Sequence, residues 1–452
     1  MAKLFGTDGV RGIANQNLSC ELAMKIGMAG AQVLTSEVRH PRILIGRDTR
    51  RSGDMLSSAI AAGICAVGGD VVDLGVIPTP AMAYLVRLYA ADAAVMVSAS
   101  HNTMEYNGIK WFNGDGFKLS DTLEEEIEHM IEQGCSFQRP LGEDVGHVIT
   151  AKRAREEYKE FLKSTATESF EGLTVVLDCA NGASSGIASE VLLDLGAKVI
   201  SRADEPNGSN INDGCGSTHP ELLQDLVAES GADVGFAFDG DADRVIATDE
   251  RGNIVDGDRI LGICAKVMHA EGSLSGDTLV ITVMSNIGLK KYMESAGINV
   301  SETAVGDRYV LERMLERGYN LGGEQSGHVI FLDQNTTGDG MLTAIQVLNI
   351  LKRSGKRMSS LASEVPIYPQ VLVNVVVDNE QKAQAMKDQE LQTQVDEISE
   401  GLRDSGRILV RASGTEPLIR IMLEGKNESE LETLAGDVAR ILKRKYNGKI
   451  KM

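Results

Sequence analysis

The chain has 452 residues, 42% apolar and 24% charged, and its 65 acidic residues outnumber 45 basic ones for a formal charge of −20. That length exceeds one ordinary core of roughly 100–150 residues, so three or four domains are expected, and the composition excludes disordered and fibrous classes. The charge argues against a bulk electrostatic nucleic-acid binder, and any anionic ligand would need a local cluster of cations.

Cys20, Cys65, Cys135, Cys179, Cys215 and Cys264 show no zinc-like spacing, and scattered cysteines fit a reducing compartment. No run of about 18 apolar residues and no apolar leader is visible, so a cytoplasmic protein without a membrane span is expected.

In chain order, Phe5-Gly-Thr-Asp-Gly-Val-Arg-Gly12 comes first, a Gly-rich segment with a cation. One pattern then occurs three times. A short apolar run reads as a buried strand: Arg42–Gly46, Leu173–Asp178 and Thr278–Val283. A helix follows, then a second strand opening on Gly69, Gly196 or Gly297, then another helix and a third strand. Such alternation indicates βαβ units and mixed or parallel sheets. The third strands are Ala93–Val97, Val234–Phe238 and Tyr319–Leu321, and each runs into a polar, Gly- or Ser-rich segment. Open α/β sheets bind ligands outside the carboxyl ends of their strands, so these three segments are the candidate site. After the connector Glu364-Val-Pro-Ile-Tyr-Pro369, a smaller α+β domain is expected. Its strands are Val371–Val377, Arg407–Arg411 and Leu418–Leu423, and its helices are Gln381–Leu402 and Glu428–Lys445. The implied domains are 1–153, 154–254, 255–368 and 369–452.

Each segment has its own chemistry. Asp239-Gly-Asp-Ala-Asp-Arg244 offers three carboxylates, which suit Mg²⁺ or Ca²⁺ once the loop curls inward. On a straight strand the alternate residues would stand roughly 6.6–6.8 Å apart, too far for one ion. An EF-hand is the rival, with Glu250 at its twelfth position, but Arg244 stands where that turn requires Gly and a strand precedes it. A solvated acidic turn is the plainer reading. Ser98-Ala-Ser-His-Asn102 offers hydroxyls and an imidazole, although neighbours on an extended segment point apart. Gly323-Glu-Gln-Ser-Gly-His328 suits sugar hydroxyls, and His328 titrates near neutrality unless perturbed. Arg411-Ala-Ser-Gly-Thr-Glu-Pro417 with Arg420 reads as a phosphate cradle.

Together, in this order and spacing, the five segments resemble the α-D-phosphohexomutase superfamily along essentially the whole chain. Met1–Gly12, Ile77-Pro-Thr-Pro80, Asn210-Ile-Asn212 and Cys215-Gly-Ser-Thr-His-Pro220 resemble its branch acting on glucosamine phosphates. The resemblance implies three successive mixed α/β-sheet domains of similar topology and a smaller C-terminal α+β domain around a central cleft. It implies interconversion of glucosamine 6-phosphate and glucosamine 1-phosphate through a phosphoserine enzyme and a bound 1,6-bisphosphate, upstream of UDP-N-acetylglucosamine and the cell wall. Ser100 is then the phosphoserine, and one Mg²⁺ is held by Asp239, Asp241, Asp243 and the phosphoserine oxygen. His101, Lys110 and His328 are candidates for proton transfer. Glu324, Ser326 and His328 match the sugar loop, and Arg411, Ser413, Gly414, Thr415 and Arg420 the distal phosphate site. Thr7, Arg11, Arg244 and Arg308 match peripheral substrate positions. A hexose bisphosphate would serve as activator. The partner is a small phosphosugar, with no nucleic acid and no membrane, and a homodimer is compatible with the sequence.

The chain departs from the family at Ala242, where a Gly is usual, so the position is expected not to need a positive φ. It departs again at Thr103, where Pro is common. Rival readings are a glucose or mannose phosphomutase, a metal-dependent phosphatase using Asp239 as nucleophile, and a non-catalytic sugar-phosphate sensor. The cations spread along the chain predict a basic site inside an acidic shell.

Overall fold

The computed structural model describes residues 4–6, 9–35, 40–135, 139–413 and 417–451. Thr7, Gly414 and Thr415 lie outside these residues.

The first sheet contains β1 (Val10–Ile13), β2 (Arg42–Arg47), β3 (Asp70–Val76), β4 (Ala93–Val97), β5 (Tyr106–Asn113) and β6 (Val148–Thr150), in the order β1-β5-β4-β2-β3-β6. The second contains β7 (Thr174–Asp178), β8 (Lys198–Arg202), β9 (Val234–Phe238), β10 (Val245–Asp249) and β11 (Ile254–Val255), in the order β11-β10-β9-β7-β8. The third contains β12 (Thr278–Thr282), β13 (Asn299–Thr303), β14 (Leu321–Gly323) and β15 (Val329–Phe331), in the order β13-β12-β14-β15.

These three sheets share one wiring. A first strand (β2, β7 or β12) lies between parallel second and third strands, and an antiparallel fourth strand flanks the third. Every residue of β4, β9 and β12 is buried, as their unbroken apolar runs require of strands covered on both faces. The chain leaves each third strand at its carboxyl end and returns on the antiparallel fourth. The polar segments beginning at Ser98, Asp239 and Glu324 are those connections. The expected threefold repeat is therefore present, and the topology itself sets the polar segments at equivalent ends.

In the first domain, helices Cys20–Thr35 and Ser52–Ala66 pack closely over the sheet. A Cβ at Gly27 would stand 2.5 Å from the Ile60 carbonyl oxygen, and one at Gly63 2.2 Å from that of Met24. Glycine is needed there because the two backbones approach too closely for a methyl group.

Two elements differ from expectation. The third strand of the third sheet runs on through Gly322 and Gly323, which pair with Val280 and Ile281. A side chain at Gly322 would meet Met314 Sδ at 2.7 Å, so Gly-Gly marks a helix close above a strand instead of a loop. The helix expected over Gln381–Leu402 is two helices, Asn379–Ala385 and Gln389–Leu402. Asp388 starts the second by accepting from the Glu390 and Leu391 amides.

The chain divides into two compact units, Met1–Met284 with Met293–Glu364, and Ser285–Tyr292 with Val365–Met452. The second unit carries an all-antiparallel sheet of β16 (Gln370–Val376), β17 (Gly406–Ala412), β18 (Leu418–Gly425) and β19 (Lys449–Lys451), in the order β17-β18-β16-β19. Val375, Ile419, Ile421 and Leu423 pack with Leu431, Val438 and Leu442 of helix Glu428–Tyr446. Glu424 is buried and binds the short segment to this sheet by accepting from the Ile287 amide at 3.0 Å. Among the described residues no helix is long and apolar enough to cross a membrane.

Candidate active site

Asp239, Asp241 and Asp243 lie buried in the turn between β9 and β10, and one oxygen of each comes within 4.8 Å of the others. The inward curl passes through Ala242, whose φ is 58°. This corrects the expectation that the position needs no positive φ. Turning Asp241 and Asp243 toward one point puts the residue between them in the left-handed region, at a cost of about 1–2 kcal/mol for alanine.

Partners fix the outer carboxylate oxygens. Thr79 Oγ1 and Lys110 Nζ donate to Asp241 Oδ2 at 2.6 and 2.9 Å. Ser100 Oγ donates to Asp239 Oδ2 at 2.6 Å, and the Arg244 amide donates to Oδ1 at 3.2 Å. Asp241 Oδ1 and Asp243 Oδ1 are buried with no hydrogen-bond partner. Burial, with Asp243 and Asp241 beside it, pushes the Asp239 carboxyl upward. Burial also opposes ionisation of Asp243, but hydrogen bonding and charge from His328, with Lys110 and Arg244, outweigh it and hold that carboxyl low. A hard divalent cation would satisfy the two oxygens that lack hydrogen bonds and the surplus negative charge together, so the residues fit Mg²⁺. The EF-hand alternative fails on two counts. A strand precedes the loop, and Glu250 is turned to Ser359, whose amide and hydroxyl it accepts.

Ser100 is 1% exposed and also has a left-handed backbone, with φ 53°. The loop is therefore not extended, and Ser100 Oγ and the next side chain meet, with 3.4 Å between Oγ and His101 Nδ1. Arg244 Nη1 stands 3.2 Å from the same nitrogen. A guanidinium only donates, so Nδ1 accepts and the ring proton sits on Nε2. Burial, then the charges of Arg244 and Arg11, push His101 down to about 4 and keep it neutral at pH 7. Lys110, on β5, is 2% exposed and bound to Asp241.

His328 is buried at the end of the third connection, with Nδ1 3.7 Å from Asp243 Oδ2. The Gly338 amide donates to Nε2 at 3.1 Å, so a neutral ring carries its proton on Nδ1, facing Asp243. Glu324 accepts from the Gly306 amide, and its carboxyl is raised, first by burial and then by Asp307. Ser326 is exposed. Arg11 lies on β1 opposite Gly108 of β5. Arg308 faces Asp121 and Glu124 of the helix Asp121–Glu132, with Glu312 on its own helix. It lines a cavity of about 150 Å³ with Lys118, Ser120 and His328. Its guanidinium is matched by carboxylates from two helices.

Around the serine Arg50 pairs with Asp48, while Lys110 and Arg244 face the three clustered aspartates. Sequence reasoning gave no role to Asp48, Arg50, Thr79 or Asn212. The available signal was the charged run Asp48-Thr-Arg50 directly after a central strand. Thr79 and Asn212 were visible only as members of resembling segments.

In the second unit, Arg411 on β17 and Arg420 on β18 stand directly opposite in register. Like charges so paired repel, and burial together with Arg420 lowers the pKa of Arg411. An anion across the pair would relieve this. Ser413 stands beside them, its amide bound to the Leu418 carbonyl, while its own carbonyl accepts from Lys382 Nζ at 2.7 Å. Lys382 was also missed.

Family models for phosphoglucomutase/phosphomannomutase match the chain in four consecutive parts. These are α/β/α domain I at residues 2–136, domain II at 156–252, domain III at 256–368 and the C-terminal domain at 372–441. The chain belongs to the phosphoglucomutase/phosphomannomutase family. Curated relatives in this family include a phosphoglucosamine mutase of Thermoanaerobacter sp. (strain X514), 52% identical over 99% of this chain and all of the relative. Another, from Ruminiclostridium cellulolyticum, is 53% identical over 98% of this chain and 99% of its own. Among solved structures, a family protein from Burkholderia thailandensis superimposes with a TM-score of 0.84 at 25% identity, covering 100% of this chain and 99% of that one. The N-acetylphosphoglucosamine mutase of Aspergillus fumigatus, solved with GlcNAc-6P and magnesium, has the same fold, with a TM-score of 0.69 at 18% identity over 98% and 95% of the two chains.

Proposed function

We propose that this chain is a phosphoglucosamine mutase, interconverting glucosamine 6-phosphate and glucosamine 1-phosphate with Ser100 as the phosphoryl carrier. The observation that carries this reading is the 2.6 Å contact of Ser100 Oγ with Asp239, inside a cluster of three buried carboxylates. Full-length relatives of that name at 52–53% identity supply the sugar. Asp239, Asp241, Asp243 and the phosphoserine oxygen would hold one Mg²⁺, which when bound supplies charge neutralisation to the phosphoryl group in flight.

Phosphorylated Ser100 gives its phosphoryl group to O1 of the 6-phosphate, breaking the Oγ–P bond and forming a 1,6-bisphosphate. After the bisphosphate turns round, Ser100 Oγ takes the phosphoryl from O6, which leaves the 1-phosphate. Free bisphosphate would recharge an enzyme that has lost its phosphoryl group. Lys110, tied to Asp241, fixes a metal-ligating carboxylate and balances its charge. His101 Nδ1 stands 3.4 Å from Ser100 Oγ but accepts from Arg244, and the serine hydroxyl donates to Asp239, so His101, Lys110 and His328 stay together as the candidates for proton transfer. Glu324, Ser326 and His328 would hold the sugar, and Arg411, Ser413, Gly414, Thr415 and Arg420 the phosphate that is not reacting. Both Asp239 oxygens already accept hydrogen bonds, one of them from Ser100, which favours serine over Asp239 as the nucleophile.

Rates on glucosamine, glucose and mannose 6-phosphates measured side by side test the substrate, and preference for glucose or mannose phosphate would overturn it. Ser100→Ala should abolish turnover and the 80-Da mass increment of one phosphoryl group, while full mutase activity in that variant would overturn the carrier. Asp241→Asn should raise the Mg²⁺ concentration needed for half-maximal activity by about tenfold or more, and an unchanged titration would refute the metal assignment.

A further inference from the structure

Arg50 stands next to the nucleophile loop but is not built to bind phosphate. Its side chain is fully buried. Nε donates to Asp48 Oδ2 at 2.9 Å. Nη1 donates to the carbonyls of Thr103 and Tyr106, and Nη2 to those of Ser100 and Asn102 at 3.0 and 2.7 Å. A guanidinium has five N–H donors, so these five acceptors use all of them. Asp48 Oδ2 also accepts from Ser98 Oγ at 2.6 Å, and Ser98 Oγ accepts from the Ser100 amide at 3.0 Å. Both backbone polar groups of Ser100 are thus held through one buried ion pair.

A second grip comes from the loop that follows β8 of the second sheet. Asn212 Nδ2 donates to the same two carbonyls, Ser100 and Asn102, at 2.8 Å each. Asn212 is 3% exposed and anchored by its own amide on the Ala180 carbonyl. The segment carrying Arg50 is tied to the same region by Thr49 Oγ1 on the Asn181 carbonyl and the Arg51 amide on the Gly208 carbonyl. Ser100 has a backbone conformation that serine adopts rarely, and such strain persists only where surrounding contacts over-determine it.

We infer that Asp48, Arg50 and Asn212 are positioning residues that lock the Ser100 backbone from loops of the first and second domains, so that Oγ keeps its place whether or not it carries a phosphoryl group. This rests on Ser100 being the phosphoryl carrier. During turnover the serine gains and loses about two negative charges. A neighbouring arginine with spare donors would swing to the phosphate in one state and away in the other. Arg50 has none spare, and carbonyls do not change charge, so the loop geometry is insulated from the chemistry.

The test uses Asn212→Asp, which keeps shape but replaces the donor with a carboxylate facing two carbonyls, and Arg50→Lys, which keeps charge but loses the fan of donors. Each full-length variant is charged with hexose 1,6-bisphosphate, and the phosphorylated fraction is counted by intact mass. kcat is expressed per phosphorylated enzyme. The expected result is a kcat lower by about 10–100-fold per charged enzyme, with KM for glucosamine 6-phosphate changed less than about threefold. Wild-type kcat per charged enzyme in both variants, with any loss confined to the amount folded, would overturn the inference and leave these residues as structural supports. Failure of the underlying reading looks different: wild-type enzyme would then take up no phosphoryl group on Ser100.

Discussion

Gly240→Ala tests whether the serine and metal loops are held in one fixed relation. Gly240 lies outside the left-handed region, so alanine meets no backbone obstacle there. The obstacle is spatial. The added methyl would stand 2.6 Å from the Ser100 carbonyl oxygen, 2.8 Å from Asn212 Nδ2 and 2.8 Å from Ile211 Cδ1. Ordinary contact is about 3.5 Å, so the gap must open by about 1 Å. Neither polar neighbour can move alone, because Asn212 Nδ2 donates to that carbonyl at 2.8 Å. Overpacking of this kind costs about 1–3 kcal/mol. A 1 Å displacement of reacting groups costs about 100-fold in rate. The 2.6 Å contact between Ser100 Oγ and Asp239 is the one such a shift would break. The assay is kcat for glucosamine 6-phosphate beside the thermal midpoint, and the expected result is a kcat loss of 30-fold or more (order of magnitude) with a midpoint only a few degrees lower. An activity within about twofold of wild type at an unchanged midpoint would show that the loops slide freely, and would refute this reasoning.

Two other predictions concern stability. Asp388→Ala should destabilise the second unit by about 1–2 kcal/mol in urea unfolding, because it removes a helix N-cap and the partner of Lys445 and Tyr446. Lys445 and Tyr446 hold the Asp388 carboxyl down to about 2, so this contribution should be present above pH 4 and fade as pH falls toward 2. A variant equal to wild type at pH 7 would count against the cap. Asp339 has the opposite sign: burial pushes its carboxyl up to about 6, although it accepts from the Leu342 amide, Tyr158 and Asn335. Its folded form therefore holds a proton more tightly than the unfolded chain, and the associated stability is lost as pH rises from about 4 through 6. Asn mimics the neutral acid, so the stability of Asp339→Asn relative to wild type should improve across that interval, by on the order of 1–3 kcal/mol. A difference that stays constant with pH would refute the raised value.

The sequence by itself determined the architecture of the sheets. Unbroken apolar runs such as Ala93–Val97 and Val234–Phe238 can be stable only as strands covered on both faces, and their spacing dictates a repeated βα wiring. That wiring sends each polar segment to the same end of its sheet, so Ser100, the three aspartates and His328 were legible as one site from order alone. Boundaries failed where a local cue had two meanings: Gly322-Gly323 reads as a turn but is a strand under a helix, and Asp388 reads as one more polar helix residue but is a cap.

Only the tertiary structure decided which charges oppose which. Periodicity does not encode that Arg50 spends all five donors on Asp48 and four backbone carbonyls, or that Arg308 is matched by Asp121 and Glu124. Nor does it encode that Arg411 and Arg420 share a register. These pairings join residues remote in sequence, and their strength depends on distance and burial, which exist only once the sheets have packed. The same holds for Ala242. Its residue type favours a negative φ, and the need to turn three carboxylates toward one point overrides that preference.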